Sequence, residues 1–313
     1  MNRREFVALA AAAPFAVRAT LAGAAAAPAA LVTCDDESRL AVVDLGAFRI
    51  ARWIATPPGP RAIERVGERA VVAHWALGSV SIVDAQRVLH VIDDVDEPRY
   101  AAAHPDGVHA FVTDSGYGLV AIDVLRGKVV GRVKLPGWPR HVTIDPAGKT
   151  LWVGLGTSSS QVAVVDVTDP RRPKQVALVT PPFGAHDVGF SPDGREVWVT
   201  AGSVGETAIF HQGRTLRTTL PADAAPQHVT FGGASAYVTS GDAGTLRVHA
   251  RASGRIVCST RVPVGSYNVQ HGQGRVITPS LSQGTLTVLN ERGALLATIQ
   301  VAGACHDACF APR

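Results

Sequence analysis

Hydrophobic and polar positions along this chain alternate in short runs of four to seven residues, not in the longer stripes of an amphipathic helix. Val188–Phe190 is one such run, Ser191-Pro-Asp-Gly194 reads as a tight turn, and Glu196–Thr200 alternates again as a second strand. Ser79–Val83, Leu119–Asp123, Gln161–Asp166, Thr245–His249 and Thr285–Leu289 predict third strands. Lys128–Leu135 and Arg255–Val262 predict outer ones. The pattern belongs to an all-β chain.

The runs repeat. Trp138–Val153 and Gly184–Thr200 are two copies of one phrase, with weaker copies starting at Gly59, Glu97, Ala225 and Gly265 and a truncated one at Gly303. Aligned on positions 60, 98, 139, 185, 226, 266 and 305, they recur every 38 to 46 residues, the period of a four-stranded propeller blade. The seventh copy ends after one strand. The missing three are predicted at Ala30–Thr33, Leu40–Asp44 and Arg49–Ile54, so a seven-bladed β-propeller over residues 28–313 closes by pairing its last strand with its first ones. Closure leaves no open seam.

The phrases Trp198-Val-Thr200, Tyr237-Val-Thr239 and Phe111-Val-Thr113, following turns of the Ser-Pro-Asp-Gly type, resemble the YVTN-repeat family of β-propellers, which includes the YncE-like proteins. The resemblance covers all seven units. It departs at Gly272-Gln-Gly274, which replaces a Pro-Asp-Gly turn, and in the first unit, which carries only Gly67. The family is related in fold to the haem d1 propeller and to the copper-binding propeller of nitrous oxide reductase. Members differ in function, so the likeness implies a fold and little chemistry.

Arg3-Arg4-Glu-Phe6, the apolar run Ala8–Val17 and the small residues Ala22-Gly23-Ala24 resemble a twin-arginine signal peptide over residues 1–24. The expectation is a periplasmic or secreted protein with no transmembrane segment after the leader is removed; the run is too short to span a bilayer. Removing Arg3, Arg4, Arg18 and Glu5 from 30 basic and 26 acidic residues leaves 27 and 25, a net charge of +2. So near-neutral a chain is not expected to bind nucleic acid.

The first strand of each propeller blade lines the axial channel. The two positions after each aligned residue read Arg61, Arg99, Arg140, His186, Gln227, Tyr267, His306 and Ala62, Tyr100, His141, Asp187, His228, Asn268, Asp307. All but Ala62 hydrogen-bond or ionise, and a polar ring needs water, partners or a ligand. Arg61, Arg99, Arg140, His141, His186, Asp187, Gln227, His228, Tyr267, His306 and Asp307 are therefore the candidate ligand-binding set. His141, His186, His228 and His306 are candidate ligands for zinc, copper or iron; the arginines suit a carboxylate or phosphate. A water-filled polar channel is the alternative. Second strands bring Cys34, His74 and Asp114 to the same end, while His90, His104, His109, His211 and His249 fall on turns or outer strands as surface residues.

Cys34, Cys305 and Cys309 lie on strands expected to be neighbours in the closing blade and are disulfide candidates; a metal or redox role for Cys305-His306-x-x-Cys309 is the rival. Cys258 reads as unpaired. The chain has no Gly-x-Ser-x-Gly elbow, phosphate loop or His-Glu-x-x-His. Two functional classes remain: a scaffold that binds a small molecule or an envelope protein, and a metal- or cofactor-dependent enzyme, either a lactonase-like hydrolase or an oxidoreductase-associated protein.

Overall fold

The computed structural model describes residues 28–156 and 159–312; the predicted signal peptide lies outside the described residues. Seven antiparallel sheets of four strands form a β-propeller. Blade 1 comprises Ala62–Val66, Arg69–His74, Ser79–Val83 and Val88–Ile92, and each later blade repeats that inside-to-outside order. Blade 7 joins Ala308–Phe310 to Ala29–Cys34, Arg39–Asp44 and Arg49–Ala55, as the repeat arithmetic predicts.

Alternation explains how the blades stack. Second and third strands are buried on both faces, as in Ser79–Val83, because each sheet is covered by its neighbours. Outer strands such as Lys174–Val179 alternate exposed and covered residues at the rim. In every blade the register shifts between the third and fourth strands, for example between Val164 and Val165. Such bulges add twist where the sheet would otherwise present a flat edge.

An apolar layer fills the space between each pair of adjacent blades. Trp152 packs with Phe190 and Phe210 between blades 3 and 4, and Trp198 packs with Phe231 between blades 4 and 5. His249, expected at the surface, is buried: its ring stands edge-on to Trp198, and Nδ1 meets the Gly254 carbonyl at 2.8 Å. It lies on the third strand Thr245–Ala250 and faces blade 4, not solvent.

The recurring threonine of the Val-Thr phrase stitches blades together. Thr33, Thr113, Thr200 and Thr239 each donate a hydroxyl hydrogen bond to a carbonyl just before the first strand of the next blade, those of Arg61, Arg140, Gln227 and Tyr267. Every acceptor belongs to the polar ring at the channel mouth. The buried hydroxyl is satisfied, and the ring backbone is fixed by the same bond. Among the described residues no helix is long and apolar enough to cross a membrane.

Candidate metal centre at the channel mouth

Strand alternation divides the predicted ring into two sets. Tyr100, His141, Asp187, His228, Asn268 and Asp307 line an axial cavity of about 320 Å3, which continues past Phe190 and Phe231. Arg61, Arg99, Arg140, His186, Gln227, Tyr267 and His306 do not line it and form the rim; all but Arg99 lie just before the first strand of their blade.

Three histidines from consecutive blades converge where rim and cavity meet. Ring nitrogens of His141, His186 and His228 all lie within 4.8 Å of one another. His141 Nδ1 hydrogen-bonds the His186 carbonyl, which requires the proton on Nδ1 and leaves Nε2 a bare lone pair. That Nε2 is buried and has no partner. His228 Nδ1 lies 3.5 Å from Asp187 Oδ2, a carboxylate placed to orient the imidazole. The set matches the three-histidine donor group of open zinc sites.

Burial, reinforced by the neighbouring imidazoles and Arg140, pushes His141 and His186 well below the ordinary histidine range. Both are neutral at pH 7, with lone pairs available to a metal. His306, also held neutral by burial, stands apart from the trio. Its Nδ1 meets the Arg61 carbonyl at 3.1 Å and its Nε2 the Tyr100 hydroxyl at 3.4 Å. Tyr100 packs tilted against His141 with ring centroids 3.9 Å apart, forming a wall of the trio.

The other ring members divide by what already holds them. Asp187 Oδ2 accepts the Val229 N–H, and Asp307 Oδ2 the Ile63 N–H, each at 3.0 Å, so both carboxyl groups clamp one blade to the next. Burial pushes Asp307 up to about 8, making it neutral at pH 7. Gln227 and Tyr267 both bind Asp242. Arg61 pairs with Asp35 at 3.0 Å. Arg99 lies between Trp75 and Trp138, 4.6 and 4.3 Å from the ring centroids, and reaches Glu97 at 3.6 Å. Arg140, beside Trp138, has no carboxylate partner among the described residues, and its Nε is buried without one. The mouth thus combines neutral nitrogen donors with one unneutralised guanidinium. Trp75 and Trp138 were not among the sequence candidates; Trp138 precedes the aligned strand of its blade and Trp75 follows the second strand of blade 1, so neither falls on the aligned positions.

From the second strands, His74 bonds Ser81 and the Pro58 carbonyl, while Asp114 accepts the Asp96 and Glu97 N–H groups. Both act within the fold. His104 and His109 are half-buried around Asp106 on a turn remote from the mouth.

No family model matches this chain. Among curated proteins, it is similar to 6-phosphogluconolactonase of Cronobacter sakazakii (strain ATCC BAA-894), with 30% identity over 158 residues. The match takes in 46% of this chain and 47% of that protein, so the chain spans about half the length of the curated relative it matches. Among solved structures, a functionally unknown protein from Desulfotomaculum acetoxidans DSM 771 superposes with a TM-score of 0.78 at 13% identity, over 90% of this chain and 98% of that one. Hydrazine synthase of Kuenenia stuttgartiensis gives 0.66 at 18% identity, over 80% and 89%. The dihydro-heme d1 dehydrogenase NirN, in complex with DHE, gives 0.62 at 12%, over 90% and 74%. These structural likenesses show a shared β-propeller fold.

Proposed function

We propose that this chain is an exported, YVTN-type ligand-binding propeller that holds a transition-metal ion on His141, His186 and His228 and an anionic small molecule beside it. The observation that carries this reading is the buried, unpartnered Nε2 of His141, facing two more imidazoles within 4.8 Å. A buried lone pair with no donor is unfavourable by about 1–3 kcal/mol, and a metal removes that deficit. Three neutral ligands leave the ion its full positive charge, and Arg140 adds to it, so the favoured further ligand is an anion. Export through the twin-arginine route and residence in the periplasm rest on the leader sequence and belong to the same proposal. Zinc or copper titration of the purified protein tests the site. The expected result is one equivalent bound at micromolar or lower concentration, and loss of that binding in His186→Gln. Equal binding by wild type and variant would refute it.

A second reading, hydrolysis of an anionic lactone, is favoured by the likeness to 6-phosphogluconolactonase. The trio would hold the metal, whose chemistry is to lower the pKa of a bound water, and Arg140 would hold the substrate anion. Turnover of 6-phosphogluconolactone that is lost in His141→Ala supports this reading. Absence of turnover by the metal-loaded protein leaves a binding function.

A further inference from the structure

The ring closes where Ala308–Phe310 pairs with Ala29–Cys34. Only Ala30–Phe310, Leu31–Cys309 and Val32–Ala308 pair in register across the seam. Beyond them, the Ala311 N–H reaches the Ala29 carbonyl at 2.8 Å, the Thr33 N–H the Asp307 carbonyl at 2.9 Å and the Asp35 N–H the Ala304 carbonyl at 3.1 Å. Cys34 therefore sits between two residues bonded to the opposite strand, facing the stretch that contains Cys305.

The side chains meet there. Cys34 and Cys305 both enter the apolar layer between blades 6 and 7, among Ile277, Leu286 and Val301, and neither is exposed. Cys34 is the neighbour that acts most strongly on the Cys305 thiol. Cys309 is excluded as the partner because its side chain enters the layer between blades 7 and 1, on the other face of the sheet. Cys258 lies on the outer strand of blade 5, beside Thr260 and Gly293.

We infer that Cys34 and Cys305 form an intramolecular disulfide that covalently closes the propeller at its seam. The two thiols release two protons and two electrons as the sulfur–sulfur bond forms. The acceptor is a disulfide of a protein or low-molecular-weight oxidant, reduced to two thiols through a mixed disulfide. Both sulfurs are covered once the ring is shut, and contact with Cys34 together with burial raises the Cys305 thiol well above its ordinary range. Thiolate attack is correspondingly suppressed in the closed ring. The bond therefore forms while the seam is still open, and closure shields it from reductant.

The link joins the two ends of the described chain, and long loops gain most from such a constraint. It also bears on the mouth. Asp35, next to Cys34, accepts the His306 N–H at 3.0 Å and pairs with Arg61. The bond would fix both sides of that contact.

Refolding the full chain in a glutathione/glutathione-disulfide buffer, alkylating it unreduced in denaturant and mapping peptides tests the inference. Expected are a Cys34–Cys305 cross-linked peptide, alkylated Cys258 and Cys309, and a melting temperature about 5 °C or more above that of the reduced protein. The cross-link should persist in Cys309→Ser. Four alkylated cysteines, or a cross-link through Cys309, would overturn it; because this readout uses the wild-type chain, it does not depend on any cysteine variant folding.

Discussion

Replacing Thr200 with valine isolates what the recurring threonine does. Its hydroxyl is fully buried, donates to the Gln227 carbonyl at 2.6 Å and accepts the Asp187 N–H at 3.1 Å. Valine keeps the shape and removes both bonds, orphaning one buried carbonyl and one buried amide. Each orphan costs about 1–3 kcal/mol, so the expected loss is about 2–4 kcal/mol after partial relaxation. For a chain of this length that lowers Tm by roughly 4–8 °C. Thr200→Ser retains the hydroxyl and gives up one methyl, a loss of about 1 kcal/mol. The two orphaned groups adjoin His228 and His186 in sequence, so metal affinity should also fall about tenfold, as for other supports behind a ligand. Thermal unfolding by circular dichroism and zinc titration of the three proteins give the comparison. Equal melting temperatures for the valine and serine variants would refute the reasoning.

Three further outcomes follow from the site and the seam. His141 and His186 ionise well below 6.5 in the fold but near 6.5 in the unfolded chain. The unfolded state therefore binds more protons in acid, and stability falls as pH drops through about 6.5. For the same reason zinc affinity should change less than about threefold between pH 8 and 7; a tenfold drop would show that His141 and His186 are protonated in that range. Arg140→Ala should weaken phosphate binding to the zinc-loaded protein about tenfold or more, while zinc binds as well or better once the neighbouring positive charge is gone; unchanged phosphate affinity in calorimetry would exclude Arg140 from the anion site. Reduction should lower the melting temperature of wild type and leave Cys305→Ala unchanged, readable by differential scanning fluorimetry.

The repeat made the architecture legible. Each blade is a local unit with its own turn, so a period of about forty residues carries blade number and closure alike. The polar ring was legible for the same reason, since equivalent positions occupy equivalent places. The division of labour within it was not. Strand alternation says that Arg140 and His141 point apart, but only the three-dimensional offset of blades 3, 4 and 5 brings His141, His186 and His228 together. His306 has the same repeat position as His186 and is drawn instead to Tyr100 of blade 2. Asp187 and Asp307 look like ligands in sequence and serve as clamps, because whether a carboxylate meets a backbone N–H depends on the next blade's position. Among the cysteines, the seam register turns Cys309 one way and Cys34 with Cys305 the other, which the truncated seventh repeat was too short to reveal.

The most direct measurement is elemental analysis by mass spectrometry on wild type and on His141→Ala/His228→Ala, both purified without chelator. Close to one zinc, copper or iron per wild-type chain is expected and none in the double variant, with both chains folded by circular dichroism. A wild-type chain that carries no metal and takes up none on incubation with zinc or copper would contradict it.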